Sequence, residues 1–167
     1  GIWNEIWNNG GYATQFSYCN FYYANTAVRN QSTPLNEMTI SNSNFRYNNK
    51  GISSVSNGNG FNIVGNSGFY NNVMAVNGCN YKLDYCIIRT NQTGIYLYPA
   101  SGTYNYITNS IINQNQTGIS GDAAEGAAFY SLKYSTVDSN TIAGLIEGDY
   151  PSYTDTILSC EFKGNYI

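Results

Sequence analysis

The chain has 167 residues, a net charge of −3 and only 10% charged residues, well under the roughly 25% of an ordinary soluble domain. Seven Lys and Arg cannot neutralise many phosphates, which excludes a nucleic-acid surface of the usual kind, and the absence of His excludes His-based triads, metal sites and general bases. No stretch approaches the ~18 apolar residues of a membrane span, whereas 17 Tyr and 26 Asn supply surface to bury and an excess of turn formers that calls for a repeating explanation.

Residues 1–15 read as the tail of a preceding coil, because Gly1-Ile2 matches the small-apolar pair that ends each later repeat. From Phe16 one template recurs: apolar, two residues, Ser or Cys, one residue, apolar, two residues, Asn, two residues, small, apolar. The first copy holds Phe16, Cys19, Phe21, Ala24 and Ala27-Val28. The second holds Ile40, Ser43, Phe45, Asn48 and Gly51-Ile52, and the third Val64, Ser67, Phe69, Asn72 and Ala75-Val76. Leu83, Cys86, Ile88, Asn91 and Gly94-Ile95 follow, then Ile107, Ser110, Ile112, Asn115 and Gly118-Ile119, then Leu132, Ser135, Val137, Asn140 and Ala143-Gly144. A seventh copy holds Ile157, Cys160, Phe162 and Asn165. The copies begin 24, 24, 19, 24, 25 and 25 residues apart, and all the variation falls between templates. Fixed positions with one loop of free length per turn are how a solenoid reads.

The apolar positions alternate with polar ones, and β-branched and aromatic residues dominate between Gly and Asn, so the segments are strands. Stacked in register at the usual strand spacing of about 4.8 Å, Asn48, Asn72, Asn91, Asn115, Asn140 and Asn165 would form an internal ladder at a tight bend. Each amide would donate to one neighbour and accept from the other. Cys19, Cys86 and Cys160 share the inward Ser/Cys column three coils apart, roughly 14 Å, too far for a disulfide. Cys79 falls in a short connection. The sequons at Asn91 and Asn115 fall on the ladder, which leaves Asn30-Gln31-Ser32 as the plausible glycan acceptor.

The copies Leu83–Ile95 and Ile107–Ile119 resemble, almost position for position, the repeat of the right-handed parallel β-helix of the pectin-lyase-like superfamily. Phage tail spikes and cell-surface adhesins are of the same type and are similar in composition. The resemblance covers about Phe16 to Asn165. It implies an all-β solenoid of about seven coils of ~24 residues with three strands per coil, residues 16–167 carrying the repeats. With no amphipathic cap in sight, residues 1–167 are expected to be a single segment excerpted from a longer solenoid.

Two outer faces carry candidate ligand-binding residues. The column after the second apolar position reads Tyr22, Arg46, Tyr70, Arg89, Asn113, Asp138, Lys163, and this interleaving of rings and charges suits sugar stacking and hydrogen bonding. The strand before each copy carries Tyr104 and Tyr106 among residues such as Phe61, Ile63 and Lys82. In polysaccharide-acting relatives the substrate groove lies over that sheet. Strict alternation makes these residues exterior, although they are rather apolar for that, and a bulge would reverse them. Asp122 and Glu147 share one offset, near Glu125 and Asp149. These four are the acidic constellation for catalysis (Asp122 and Glu147) or for a Ca2+, the one cofactor in view.

The expected function is an extracellular, cell-surface or virion segment that binds or displays toward polysaccharide, with no catalysis assigned to this stretch. The expected partners are a cell-surface glycan and either a homotrimer or more coils of the same solenoid, with no nucleic acid and no membrane span. A polysaccharide lyase or glycoside hydrolase, and a structural shaft, are the alternatives.

Overall fold

The computed structural model describes residues 1–9, 13–31, 37–54, 61–98, 103–121, 129–146 and 156–165, and their regular elements are all strands. Strand β1 (Trp3–Asn8) comes first. Six three-strand coils follow. They are β2 (Thr14–Ser17), β3 (Asn20–Tyr22) and β4 (Ala24–Asn30); β5 (Met38–Ser41), β6 (Asn44–Arg46) and β7 (Lys50–Ser54); β8 (Asn62–Gly65), β9 (Gly68–Tyr70) and β10 (Met74–Gly78); β11 (Tyr81–Asp84), β12 (Ile87–Arg89) and β13 (Thr93–Leu97); β14 (Tyr104–Thr108), β15 (Ile111–Asn113) and β16 (Thr117–Gly121); and β17 (Phe129–Lys133), β18 (Thr136–Asp138) and β19 (Ala143–Ile146). Strands β20 (Thr156–Leu158) and β21 (Glu161–Lys163) end the series. Every third strand pairs in parallel. The first sheet runs β2-β5-β8-β11-β14-β17-β20, the second β3-β6-β9-β12-β15-β18-β21, and the third β1-β4-β7-β10-β13-β16-β19. The chain is a parallel β-solenoid, as the repeat predicts.

Each apolar column of the template lines one inner wall. Phe16, Ile40, Val64, Leu83, Ile107, Leu132 and Ile157 are stacked partners in the first sheet. The second sheet's inner column begins with three parallel rings, Phe21, Phe45 and Phe69, with centroids 4.6 and 4.7 Å apart. Val28, Ile52, Val76, Ile95 and Ile119 fill the third wall and are buried.

Register corrects the expected small-apolar pairs at both ends. Ile6, not Ile2, pairs with Val28, with a bulge between Glu5 and Ile6. In the sixth copy Ile119 pairs with Leu145, so Gly144-Leu145 replaces Ala143-Gly144 as the closing pair. The physical reason is volume. A Gly stacked on Ile119 would leave a void that Leu145 fills.

Two bends per coil use left-handed residues. One set precedes the Ser/Cys column: Tyr18, Asn42, Asn66, Tyr85, Asn109, Tyr134 and Ser159, with φ between 48° and 56°. The other precedes the Asn column: Tyr23, Tyr47, Asn71, Thr90, Gln114, Ser139 and Gly164, with φ between 52° and 59°. A left-handed L-residue other than Gly costs roughly 1–2 kcal/mol, so something must hold these corners.

The Asn ladder holds one of them. Asn91 Nδ2 donates to Asn115 Oδ1 on the next coil (2.9 Å) and to the Phe69 carbonyl on the previous one (3.1 Å), while its backbone N–H also donates to Asn115 Oδ1 (2.9 Å). The same set recurs from Asn48 through Asn72, Asn115 and Asn140 to Asn165. Ala24, which lacks the amide, still donates its N–H to Asn48 Oδ1 at 2.8 Å.

The Ser column does the same work at the other bend. Ser110 Oγ accepts the Cys86 N–H (3.1 Å) and donates to the Thr108 carbonyl two residues back (2.7 Å). Ser43, Ser67 and Ser135 repeat this. Cys86 is buried, and burial pushes its thiol from an ordinary 9.0 up to about 12, so it stays protonated at neutral pH. Cys19 and Cys160 point into the same column but are partly exposed, since they sit in its first and last copies. No disulfide joins the four cysteines.

Replacing Asn115 by Ala orphans the buried N–H of Asn91 and breaks the ladder on both sides. Denaturation should show a loss of at least about 1–3 kcal/mol, the penalty of one such group. Gln116→Ala, on the exposed neighbour, should stay within about 0.5 kcal/mol.

Candidate functional site

The strands of the second sheet are three residues long. The middle residue points inward, so both flanking residues face out. Tyr22, Arg46, Tyr70, Arg89, Asn113, Asp138 and Lys163 are consecutive register partners on that outer face. The Arg46 guanidinium lies 4.8 Å from the Tyr70 ring centroid, a cation–π contact. Tyr70 itself is half-buried. Its ring folds back over Gly68, where an added Cβ would collide with it. Arg89 is exposed, and its Nε donates to Gln114 Oε1 at 2.7 Å.

The structure adds two residues to this face. Tyr23 and Tyr47 occupy left-handed corners beside the column, are 57% and 50% exposed, and stack face to face with centroids 5.5 Å apart and planes within 10°. Tyr23 also lies 6.4 Å from the Tyr22 ring. Four tyrosines and one Arg thus gather on the first three coils of one sheet. The sequence carried a hint, since Tyr stands twice at the offset just before the ladder position.

Tyr104 and Tyr106 belong to a different wall. They lie on β14 of the first sheet and are exposed. Alternation holds there: Tyr81 is buried, its neighbour Lys82 faces out, and Lys82 pairs with Ile63 on one side and Tyr106 on the other. No bulge interrupts these pairings. Phe61 and Tyr106 lie 5.8 Å apart, and Lys82 Nζ sits 4.1 Å from the Phe61 centroid and 6.0 Å from that of Tyr106. Asp84, two residues further along β11, accepts hydrogen bonds from Thr108 Oγ1 (2.7 Å) and Asn109 Nδ2 (2.8 Å). The six expected ligand-binding residues therefore divide into two faces.

Asp122, Glu125, Glu147 and Asp149 lie outside the described residues. Among the described residues no group of three or more acidic or Cys side chains is placed to hold a metal ion. The Asn30 sequon fares differently from its expectation. Asn30 is fully buried, accepts from Asn8 Nδ2 (3.2 Å) and donates to Asn62 Oδ1 (2.7 Å). It belongs to an internal amide chain and offers no amide to glycosylate.

Chemically, the second-sheet face offers aromatic rings, phenol hydroxyls and the Arg46 guanidinium held over a ring. Tyr47 can be altered there without unfolding the chain. Tyr47→Asn puts a residue tolerant of positive φ in the corner, relieving about 1 kcal/mol, and loses a stacked pair worth about 0.5–1.5 kcal/mol. Chemical denaturation should place the variant within about 1 kcal/mol of the parent. In comparisons with known proteins, the chain matches no protein-family model, no curated protein and no solved structure.

Proposed function

We propose that this solenoid is a polysaccharide-binding segment of the pectin-lyase-like β-helix type, displayed outside a cell or on a virion, and that it holds glycan on the second-sheet face without turning it over. The observation that carries the reading is the aromatic band of exposed Tyr22, Tyr23 and Tyr47, with Arg46 over the half-buried Tyr70, on successive coils. Exposed rings in a row are unusual unless a partner covers them. The C–H face of a pyranose carries partial positive charge and fits the negative face of an aromatic ring. Low charge on the chain suits a neutral polymer, which offers little for cations to attract. The Phe61, Lys82 and Tyr106 cluster supplies a second aromatic surface of the same chemistry.

The enzymatic reading, a lyase or glycoside hydrolase, rests on Asp122 and Glu147. Release of reducing ends or unsaturated products that disappears in Asp122→Ala and Glu147→Ala would favour it over binding alone.

Affinity gel electrophoresis against a panel of neutral polysaccharides tests the binding reading. At least one polymer should retard the chain, and Tyr47→Asn should weaken that retardation about tenfold, the equivalent of one lost stacking contact of 1.4 kcal/mol. No retardation by any polymer, or equal retardation of parent and variant, would sink it.

A further inference from the structure

A groove of about 500 Å³ crosses the outside of the third sheet, over β1, β4, β7 and β10. Its floor is the outward register column Arg29, Ser53, Asn77. Asn77 is 2% exposed, and its Nδ2 donates to Ser53 Oγ at 3.1 Å, but its Oδ1 has no hydrogen-bond partner. Arg29 is held by Glu5, with Nη1 to Oε2 at 3.7 Å, while its Nε is buried with no partner. Buried polar groups normally find partners, so an acceptor and a donor left over in one groove point to something that completes them. The two residues are two coils apart, roughly 10 Å along the sheet. At the rim stands Tyr98, 41% exposed, its ring braced edge-on by Tyr96 at 5.3 Å and 87°.

We propose that this groove is a second ligand site, separate from the aromatic band, that takes a single pyranose unit. A hydroxyl both donates and accepts, whereas a phosphate or carboxylate only accepts and an ammonium only donates. Both atoms are closed to solvent in the groove, so small rotations of the Asn77 and Arg29 side chains present them to a ring whose hydroxyls on opposite sides give a proton to Asn77 Oδ1 and receive the Arg29 Nε proton. Tyr98 covers its apolar face. Glu5 neutralises Arg29, and Lys50 adds one further positive charge to the lining.

The test is a chemical-shift titration of the isotopically labelled chain with methyl glucoside, with cyclohexanol as the single-hydroxyl control. Methyl glucoside should cause saturable shifts at the Ser53 and Asn77 backbone amides and the Asn77 side-chain amide, and cyclohexanol none. Arg29→Lys keeps the charge but removes the Nε donor, and Tyr98→Ala removes the stacking ring. Each should abolish saturation. Tyr47→Asn, on another sheet, should leave the shifts intact, so failures of the groove and of the band are read on different residues. Absence of saturable shifts, meaning that water alone completes the groove, would overturn the proposal. Equal shifts with cyclohexanol, or shifts unchanged in both groove variants, would do the same.

Discussion

Wherever a coil of this solenoid turns between the first and second sheets, or between the second and third, the backbone passes through a left-handed residue. The N–H that follows then has no strand partner. At both bends the missing acceptor is a side-chain atom from the next coil: Asn Oδ1 at one, and Ser Oγ or, for Ser67, the Cys86 sulfur at the other. That single device answers two problems. It satisfies a backbone donor that would otherwise be buried unpaired, and it holds a conformation most side chains resist. It also demands that the same residue type recur at the same height in every coil, and that demand produces the repeat.

The outer faces inherit this regularity. Because the inner columns fix the register, every outward position becomes one point in a row spaced by the coil rise. Tyr22, Arg46 and Tyr70 are neighbours only because Phe21, Phe45 and Phe69 stack beneath them. A substitution in the ladder would therefore disturb the aromatic band without touching it, whereas one in the band leaves the ladder as it was. Stability sits on the inside of each strand and the proposed binding face on the outside, in adjacent residues of the same three-residue segment.

Much of this was legible in the residues. The Asn column, the three apolar walls and the outward row from Tyr22 to Lys163 all follow from one template and its constant length. What escaped is instructive. A column mixing Ser and Cys reads as a demand for small volume, so the hydrogen-bonding work of Ser43, Ser67, Ser110 and Ser135 was hidden. Tyr23 and Tyr47 carry no sequence signal of a corner, because left-handed positions usually take Gly or Asn; the Asn48 and Asn72 side chains hold the backbone just after them. Asn8, Asn30 and Asn62 form a buried amide chain from positions outside the template, across connections of unequal length, so no fixed offset reveals them. Leu145 is hidden for a related reason, since one extra residue after Asn140 shifts it off the constant offset of the other copies.

The ladder makes a direct physical statement about protons. Each Asn72, Asn91 and Asn115 side-chain amide donates both hydrogens to buried acceptors. Hydrogen–deuterium exchange of these side-chain amides, followed by NMR against the exposed amide of Asn49, measures this without any substitution. The account predicts that the three ladder amides exchange only at the rate of coil opening, as slowly as the backbone amides of the central strands. Exchange as fast as that of Asn49 would contradict it, and the origin of the repeat would have to be sought elsewhere.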